Sequence, residues 1–319
     1  GGRAPIGQYP LPEKSFLLKN EKGKLTDVTK TWIPELNNLG MLTDALWSDV
    51  NRDGKVDLVV VGELMPITLF LNTGKRFELA KSTGLEGFSG WWNSIISADL
   101  DQDGDSDWVV GNIGANNPHH PAAARPYKVY AKDFDANGSV DPVSFAFYKS
   151  KIGGDYQAYP THFWDDLIGQ SPMFRRKFDR YKYFALSTDQ TFFTEEEKKD
   201  VRVLIGNYDR SAWVENLGNG KFTLHELPWQ AQLAPMYGMQ VEDVNMDDDD
   251  DNNQTCGYQT VTENVRTCEP DTYITAETPK TLSVRTSNDK GPNRSCPSHV
   301  VMQMSNNATN LKAKIDTLT

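Results

Sequence analysis

The sequence has no run of 18 or more apolar residues, which excludes a membrane-spanning helix. Its longest apolar stretches, such as Leu58-Val59-Val60-Val61, have the length of a strand. Cysteine is missing from the first 251 residues, because Cys256, Cys268 and Cys296 all follow. That body therefore carries no disulfide framework and no thiolate zinc site, and the odd count leaves the redox compartment undecided. Positive charge is scarce, with 33 Lys/Arg against 44 Asp/Glu, a net charge of −11 and a pI near 5.0. This argues against nucleic-acid backbones and anionic membranes as partners. No nucleophile-elbow, Walker or dinucleotide motif is found. An initiator Met and a basic-apolar leader are also missing, so a secretory signal is expected to have been removed or to lie outside this piece.

What is present is a repeat. Four acidic clusters align on one nonapeptide template, and three fit D-x-[DN]-x-[DN]-G-x-x-D completely. In the first, Asp49, Asn51, Asp53, Lys55 and Asp57 fill positions one, three, five, seven and nine; in the second these are Asp99, Asp101, Asp103, Asp105 and Asp107. The third has Asp133, Asp135, Asn137, Ser139 and Asp141, and the fourth Asp243, Asn245, Asp247, Asp249 and Asp251, with Asp248 where the glycine belongs. Short apolar or alternating runs precede each cluster. Val-rich runs, Leu58–Val61 and Trp108–Val110, follow the first two and read as buried strands. Asn/Gly turns come next, at Asn72-Thr73-Gly74 and Asn216-Leu217-Gly218-Asn219-Gly220, with another at Asn20–Lys24. They read as hairpins whose glycines supply positive φ.

Strand, acidic loop, strand, strand, hairpin, strand is a four-stranded meander. Its recurrence 50 residues on, from Asp49 to Asp99, predicts β-propeller blades. The expected fold is all-β: an incomplete propeller of about four or five four-stranded blades over residues 1–251. Residues 155–200 break the pattern. Their apolar residues recur three to four apart, and Pro172 suits a helix first turn, which predicts a helical insertion. Residues 252–319 carry 7 Lys/Arg and 6 Asp/Glu, leaving 26 against 38 for the body, and only Tyr258 and Tyr273 of the aromatics. This Thr/Asn/Ser-rich tail lacks sustained periodicity and is expected to be irregular and to supply no strand. A composition change inside a motif is also what a reading-frame change produces. The expectation is a piece of a longer protein whose blades form an open arc.

Positions one, three, five and nine of each loop offer side-chain oxygens, and position seven a backbone carbonyl. Such hard donors on a loop with a glycine turn at position six suit Ca²⁺, which takes six to eight oxygens. No Cys or His lies in any loop, which disfavours Zn²⁺ and Cu²⁺; Mg²⁺ keeps its waters and fits less well. An EF-hand is excluded because position twelve would be Val60, Val110, Ser144 or Gln254 and the flanks are strands. Four or more acidic or amide groups so close together repel, and a divalent cation removes that repulsion.

These loops and hairpins resemble the FG-GAP/VCBS repeats of calcium-binding β-propellers, the type found in integrin α-subunit heads. The order of features is similar to a bacterial branch related to cartilage acidic protein and the ASPIC/UnbV proteins. The residues that carry the resemblance are Gly7–Pro12, Met41–Trp47, the three full loops, Trp91-Trp92-Asn93-Ser94 and Glu215–Phe222. It spans about residues 3–251. It implies a non-catalytic propeller, secreted, periplasmic or on the cell surface, that binds a protein or glycan in adhesion or assembly. The competing expectation is a calcium-stabilised propeller enzyme acting on polysaccharide, a lyase or hydrolase.

Other features read as structural. His119-His120 sits between prolines and reads as a loop, since neighbours on an extended chain point apart. Trp91-Trp92 reads as core. Arg175-Arg176-Lys177 reads as the solvated face of an inserted helix. Asn253, Asn293 and Asn307 begin glycosylation-type triplets of the kind a Thr/Asn-rich tail yields by chance.

Overall fold

The structure is a computed structural model that describes residues 1–101, 103–151, 153–242, 280–284 and 299–304. It begins with a hairpin of β1 (Leu18–Glu21) and β2 (Lys24–Asp27), followed by a short helix, α1 (Thr29–Trp32). Lys22 and Gly23 turn this hairpin with φ of 54° and 89°, the geometry the Asn/Gly pattern predicts.

The first large sheet has the expected meander. β3 (Met41–Ser48), β4 (Asp57–Pro66), β5 (Thr68–Asn72) and β6 (Phe77–Leu79) pair in order, all antiparallel. The first acidic loop joins β3 to β4. β4 is central, so its side chains are buried on both faces. Val59 and Val61 enter a core with Trp92, Trp108 and Val110, while Leu58 and Val60 join Ile33, Phe70 and Phe77 on the other side. This is why the run is continuously apolar rather than alternating. β7 (Ser89–Trp91) pairs with the far end of β4, past a bulge at Leu64, whose φ is +56°.

The second large sheet departs from the expected period. β8 (Ser94–Ala98) pairs with β9 (Asp107–Gly111) across the second loop. The next strand of this sheet is not the next in sequence. β14 (Ala212–Asn216) pairs with β9, and β15 (Phe222–Glu226) completes the sheet. About a hundred residues are inserted between the second and third strands of this meander, so blades do not follow one another at a 50-residue spacing. The insertion holds its own sheet of β10 (Tyr127–Ala131), β11 (Val143–Lys149), β12 (Tyr156–Pro160) and β13 (Arg202–Gly206), ordered β12-β11-β10-β13. The third acidic loop joins β10 to β11 in this nested sheet.

The helical break expected over 155–200 is narrower and divided. β12 occupies its start, and three short helices follow: α2 (Trp164–Gln170), α3 (Pro172–Lys177) and α4 (Tyr181–Ala185). Pro172 opens α3 as expected. Leu167, Phe174 and Phe184 from the helices pack on Val143 and Phe145 of β11, with Phe192 and Phe193. The aromatic residues spaced three to four apart are therefore this core's lid. Arg175 and Arg176 are exposed at the end of α3.

The large sheets stack face to face. β3 runs beside β8, and β8 beside β16 (Gly238–Glu242). One core lies between the first two sheets, and a second holds Leu100, Val109, Trp213 and Met236 on the far side of the second sheet. Among the described residues no sheet closes on itself. β16 pairs with β18 (His299–Met304), which pairs with β17 (Lys280–Val284). The expectation that nothing after residue 251 supplies a strand is thus corrected. Lys280–Val284 alternates and Val300-Val301-Met302 is a short apolar run, enough for five-residue pairing. The remainder of the expected irregular tail, 252–319, lies outside the described residues.

Candidate metal centres

The three complete loops share one internal hydrogen-bond pattern, set by their residue types. The position-one carboxylate accepts the amide of position six, from Gly54 to Asp49, Gly104 to Asp99 and Gly138 to Asp133, at 2.8–3.1 Å. The position-three oxygen accepts the amide of position five, and the position-five oxygen that of position seven: Asn51 from Asp53 and Asp53 from Lys55, then Asp101 from Asp103 and Asp103 from Asp105, and Asp135 from Asn137 and Asn137 from Ser139. These short side chains wrap the backbone into a tight coil. Gly54, Gly104 and Gly138 hold φ of 82°, 86° and 90°, so the glycine of the motif is required by conformation.

Position nine is buried in all three loops; it begins the next strand in the first two and stands two residues before β11 in the third. Asp57, Asp107 and Asp141 each accept the amide of position two, from Val50, Leu100 and Phe134, at 3.0–3.2 Å. In the first two sheets the other oxygen accepts a hairpin amide: Asn72 donates to Asp57 at 2.7 Å and Asn216 to Asp107 at 2.8 Å. The last aspartate therefore ties its loop to the third strand of its sheet. The motif showed that carboxylate; it did not show Asn72 and Asn216 as partners. Asn72 lies 15 residues after Asp57, within one meander, but Asn216 lies 109 after Asp107, across the nested sheet. A shared offset of Asn at the start of each Asn/Gly hairpin was the available signal.

Asp99, Asp101 and Asp107 each offer an oxygen within 4.8 Å of the others, and so do Asp133, Asp135 and Asp141. Two oxygens on opposite sides of Ca²⁺ stand about 4.6–5.2 Å apart, from bonds of about 2.3–2.6 Å, so each trio can share one ion. In the first loop Asn51 replaces the middle carboxylate and lowers the local charge. Lys55 reaches back to Asp53 at 2.9 Å and lowers that carboxylate's pKa.

The second loop is the most strained electrostatically. Asp99 Oδ1 and Asp105 Oδ1 are buried with no hydrogen-bond partner, and the Asp105 side chain is only 7% exposed. Burial, then the charges of nearby acids, pushes Asp105 up to about 6. Burial pushes Asp107 up to about 7 despite the amides of Asn216 and Leu100, and Asp101 is raised by the same cause. Burial also raises Asp57 and Asp141. Orphaned carboxylate oxygens in such a site are what a bound cation satisfies.

Neighbouring segments reach the loops. Arg52 of the first loop lies 3.5 Å from both Asp103 and Asp105 of the second. The third loop is enclosed by the N-terminal segment and the helices. Gly7 accepts the Val140 amide at 2.8 Å, Gln8 Nε2 donates to the Gly138 carbonyl at 2.8 Å, and Ser171 Oγ donates to Asp135 at 2.9 Å. That segment is itself held by Glu63, which accepts from Arg3 at 2.6 Å and Tyr9 at 2.5 Å. The fourth loop, with Asp243, Asn245, Asp247, Asp249 and Asp251, lies outside the described residues.

Loop, buried strand, third strand and Asn/Gly hairpin together repeat in two stacked sheets. Residues 49–110 match the family model of the FG-GAP-like repeat. The FG-GAP-like segment begins at the first residue of the first loop and ends in β9, so both loops of the stacked sheets fall inside it. No curated protein matches the chain. His119 and His120 belong to no metal cluster among the described residues. His119 Nδ1 lies 3.0 Å from the Tyr148 hydroxyl, and His120 is exposed. Trp92 is buried in the core and Trp91 stacks edgewise on Tyr127, so both tryptophans serve packing.

Proposed function

We propose that this chain is a calcium-stabilised, propeller-type binding module without catalytic chemistry of its own. The observation that carries the reading is the second loop. Asp99, Asp101 and Asp107 lie within reach of one ion, and one oxygen of Asp99, like one of the neighbouring Asp105, is buried with no hydrogen-bond partner. In the first loop Asp49, Asn51, Asp53 and Asp57 are the side-chain ligands, with the carbonyl of Lys55. Asp99, Asp101, Asp103, Asp107 and the carbonyl of Asp105 serve the second. Asp133, Asp135, Asn137, Asp141 and the carbonyl of Ser139 serve the third. All-oxygen donors on a flexible loop favour Ca²⁺ over Mg²⁺. The ion neutralises the repulsion that burial imposes and fixes β3 to β4, β8 to β9 and β10 to β11.

The stacking of β3, β8 and β16 supports an arc of blades around a common axis. Together with the FG-GAP-like match, it supports a role at the cell surface, in the periplasm or outside the cell, with a protein or glycan as partner in adhesion or assembly. Thermal melting with Ca²⁺, Mg²⁺ or chelator tests the metal reading. At a Ca²⁺ concentration about 100-fold above Kd the gain is about 2.7 kcal/mol per site. In a domain of this size that raises Tm by about 5–10 °C. Equal melting in Ca²⁺ and in chelator sinks the proposal.

A further inference from the structure

The first and second loops are joined by a continuous, buried chain of hydrogen bonds. Asp57 accepts the Val50 amide at 3.2 Å. The Val50 carbonyl accepts from Asn216 Nδ2 at 3.0 Å. The Asn216 amide donates to Asp107 Oδ1 at 2.8 Å, and Asp107 Oδ2 accepts the Leu100 amide at 3.1 Å. Asp57, Val50, Asn216, Asp107 and Leu100 are each 3% exposed or less. One asparagine thus holds the carbonyl of position two in the first loop and the carboxylate of position nine in the second. Its counterpart Asn72 differs, because its side chain turns back to Val56 of its own loop at 2.9 Å. Arg52 adds an outer contact from the first loop to the Asp103 carbonyl at 3.3 Å.

We infer that the first and second loops bind their cations cooperatively, with Asn216 as the residue that couples them. The inference rests on the cation reading above. An ion in the first loop fixes Val50, which fixes the Asn216 side chain. The same residue's amide then holds Asp107 in place for the second ion. The second ion binds a loop whose ordering cost has already been met, so the coupling is positive. It is also reciprocal: each ion tightens the other by the same factor. The third loop has no member in this chain and is enclosed by Gly7, Gln8 and Ser171 instead. It binds independently of the other two.

Calcium calorimetry on the full chain tests this with a mutant cycle of wild type, Asp53→Ala, Asp103→Ala and the double variant. The expected result is that Asp53→Ala weakens the second loop three- to tenfold beyond removing its own ion. A parallel cycle of Asp53→Ala with Asn137→Ala is expected to be additive. Additive effects in the first cycle, or equal coupling in both, overturn the inference while leaving the cation reading intact. Calcium binding unchanged by either Asp53→Ala or Asp103→Ala overturns both. Asn216→Ala keeps the backbone donor and removes the side-chain one, so coupling is expected to vanish in it. Coupling that persists in folded Asn216→Ala overturns the role of that residue. The wild-type cycle decides the coupling itself whether or not Asn216→Ala folds.

Discussion

Gly54 and Gly111 show how one residue type serves two different needs. Gly54 turns its loop at φ +82°, and a Cβ there would meet open space. Gly54→Ala therefore costs only backbone strain, about 1–2 kcal/mol, and chemical denaturation should show that loss together with weaker Ca²⁺ binding. At Gly111 a Cβ would stand 2.4 Å from the Met236 carbonyl. Gly111→Ala is expected to be the more destabilising of the two, with Ca²⁺ binding unchanged in whatever fraction folds; the reverse order would refute this account of the turn. His162 gives a pH prediction away from the loops. Burial lowers its pKa below 6.5, and its Nε2 accepts the Ser144 amide at 3.1 Å. The unfolded chain takes up the proton first, so stability is intact above about pH 6.5 and falls as pH drops toward the folded value. Between pH 7.5 and 5.5, His162→Gln should lose less Tm than wild type. Parallel curves would show that His162 is not the group responsible.

At the scale of elements, the meander of the first sheet was legible because every partner lies within one stretch of chain. The continuous run Leu58–Val61 announced a strand buried on both faces, and the loop between β3 and β4 announced itself by its carboxylates. The second sheet was half legible. β8, its loop and β9 are legible in the local pattern, but β14 is supplied from beyond the nested sheet, and local patterning carries no record of such a long return. Nothing local sets the third loop apart from the first two, because its place in an inserted sheet is a matter of tertiary pairing. The helical lid was legible in its period and not in its breaks. Trp108 tests how the large sheets hold together. It is fully buried between them and stacks on Phe222 at 4.5 Å. Trp108→Ala should cost about 3–5 kcal/mol by removing that contact and leaving a cavity. A loss below about 1 kcal/mol in urea unfolding would mean that the sheets do not depend on this core.

At the scale of the whole molecule, acidic loops sit at corresponding ends of stacked sheets in a chain that carries a net charge of −11. Hydrophobic burial builds the sheets, and the loops that join their strands gather carboxylates that repel one another; in the proposed function a cation relieves that repulsion. Metal binding energy then adds to folding energy. Native mass spectrometry of the intact chain in Ca²⁺, with Asp103→Ala alongside, tests that claim most directly. The account predicts at least three ions per wild-type chain, one for each described complete loop, and fewer in Asp103→Ala. A wild-type chain that carries no calcium at saturating concentration would contradict it.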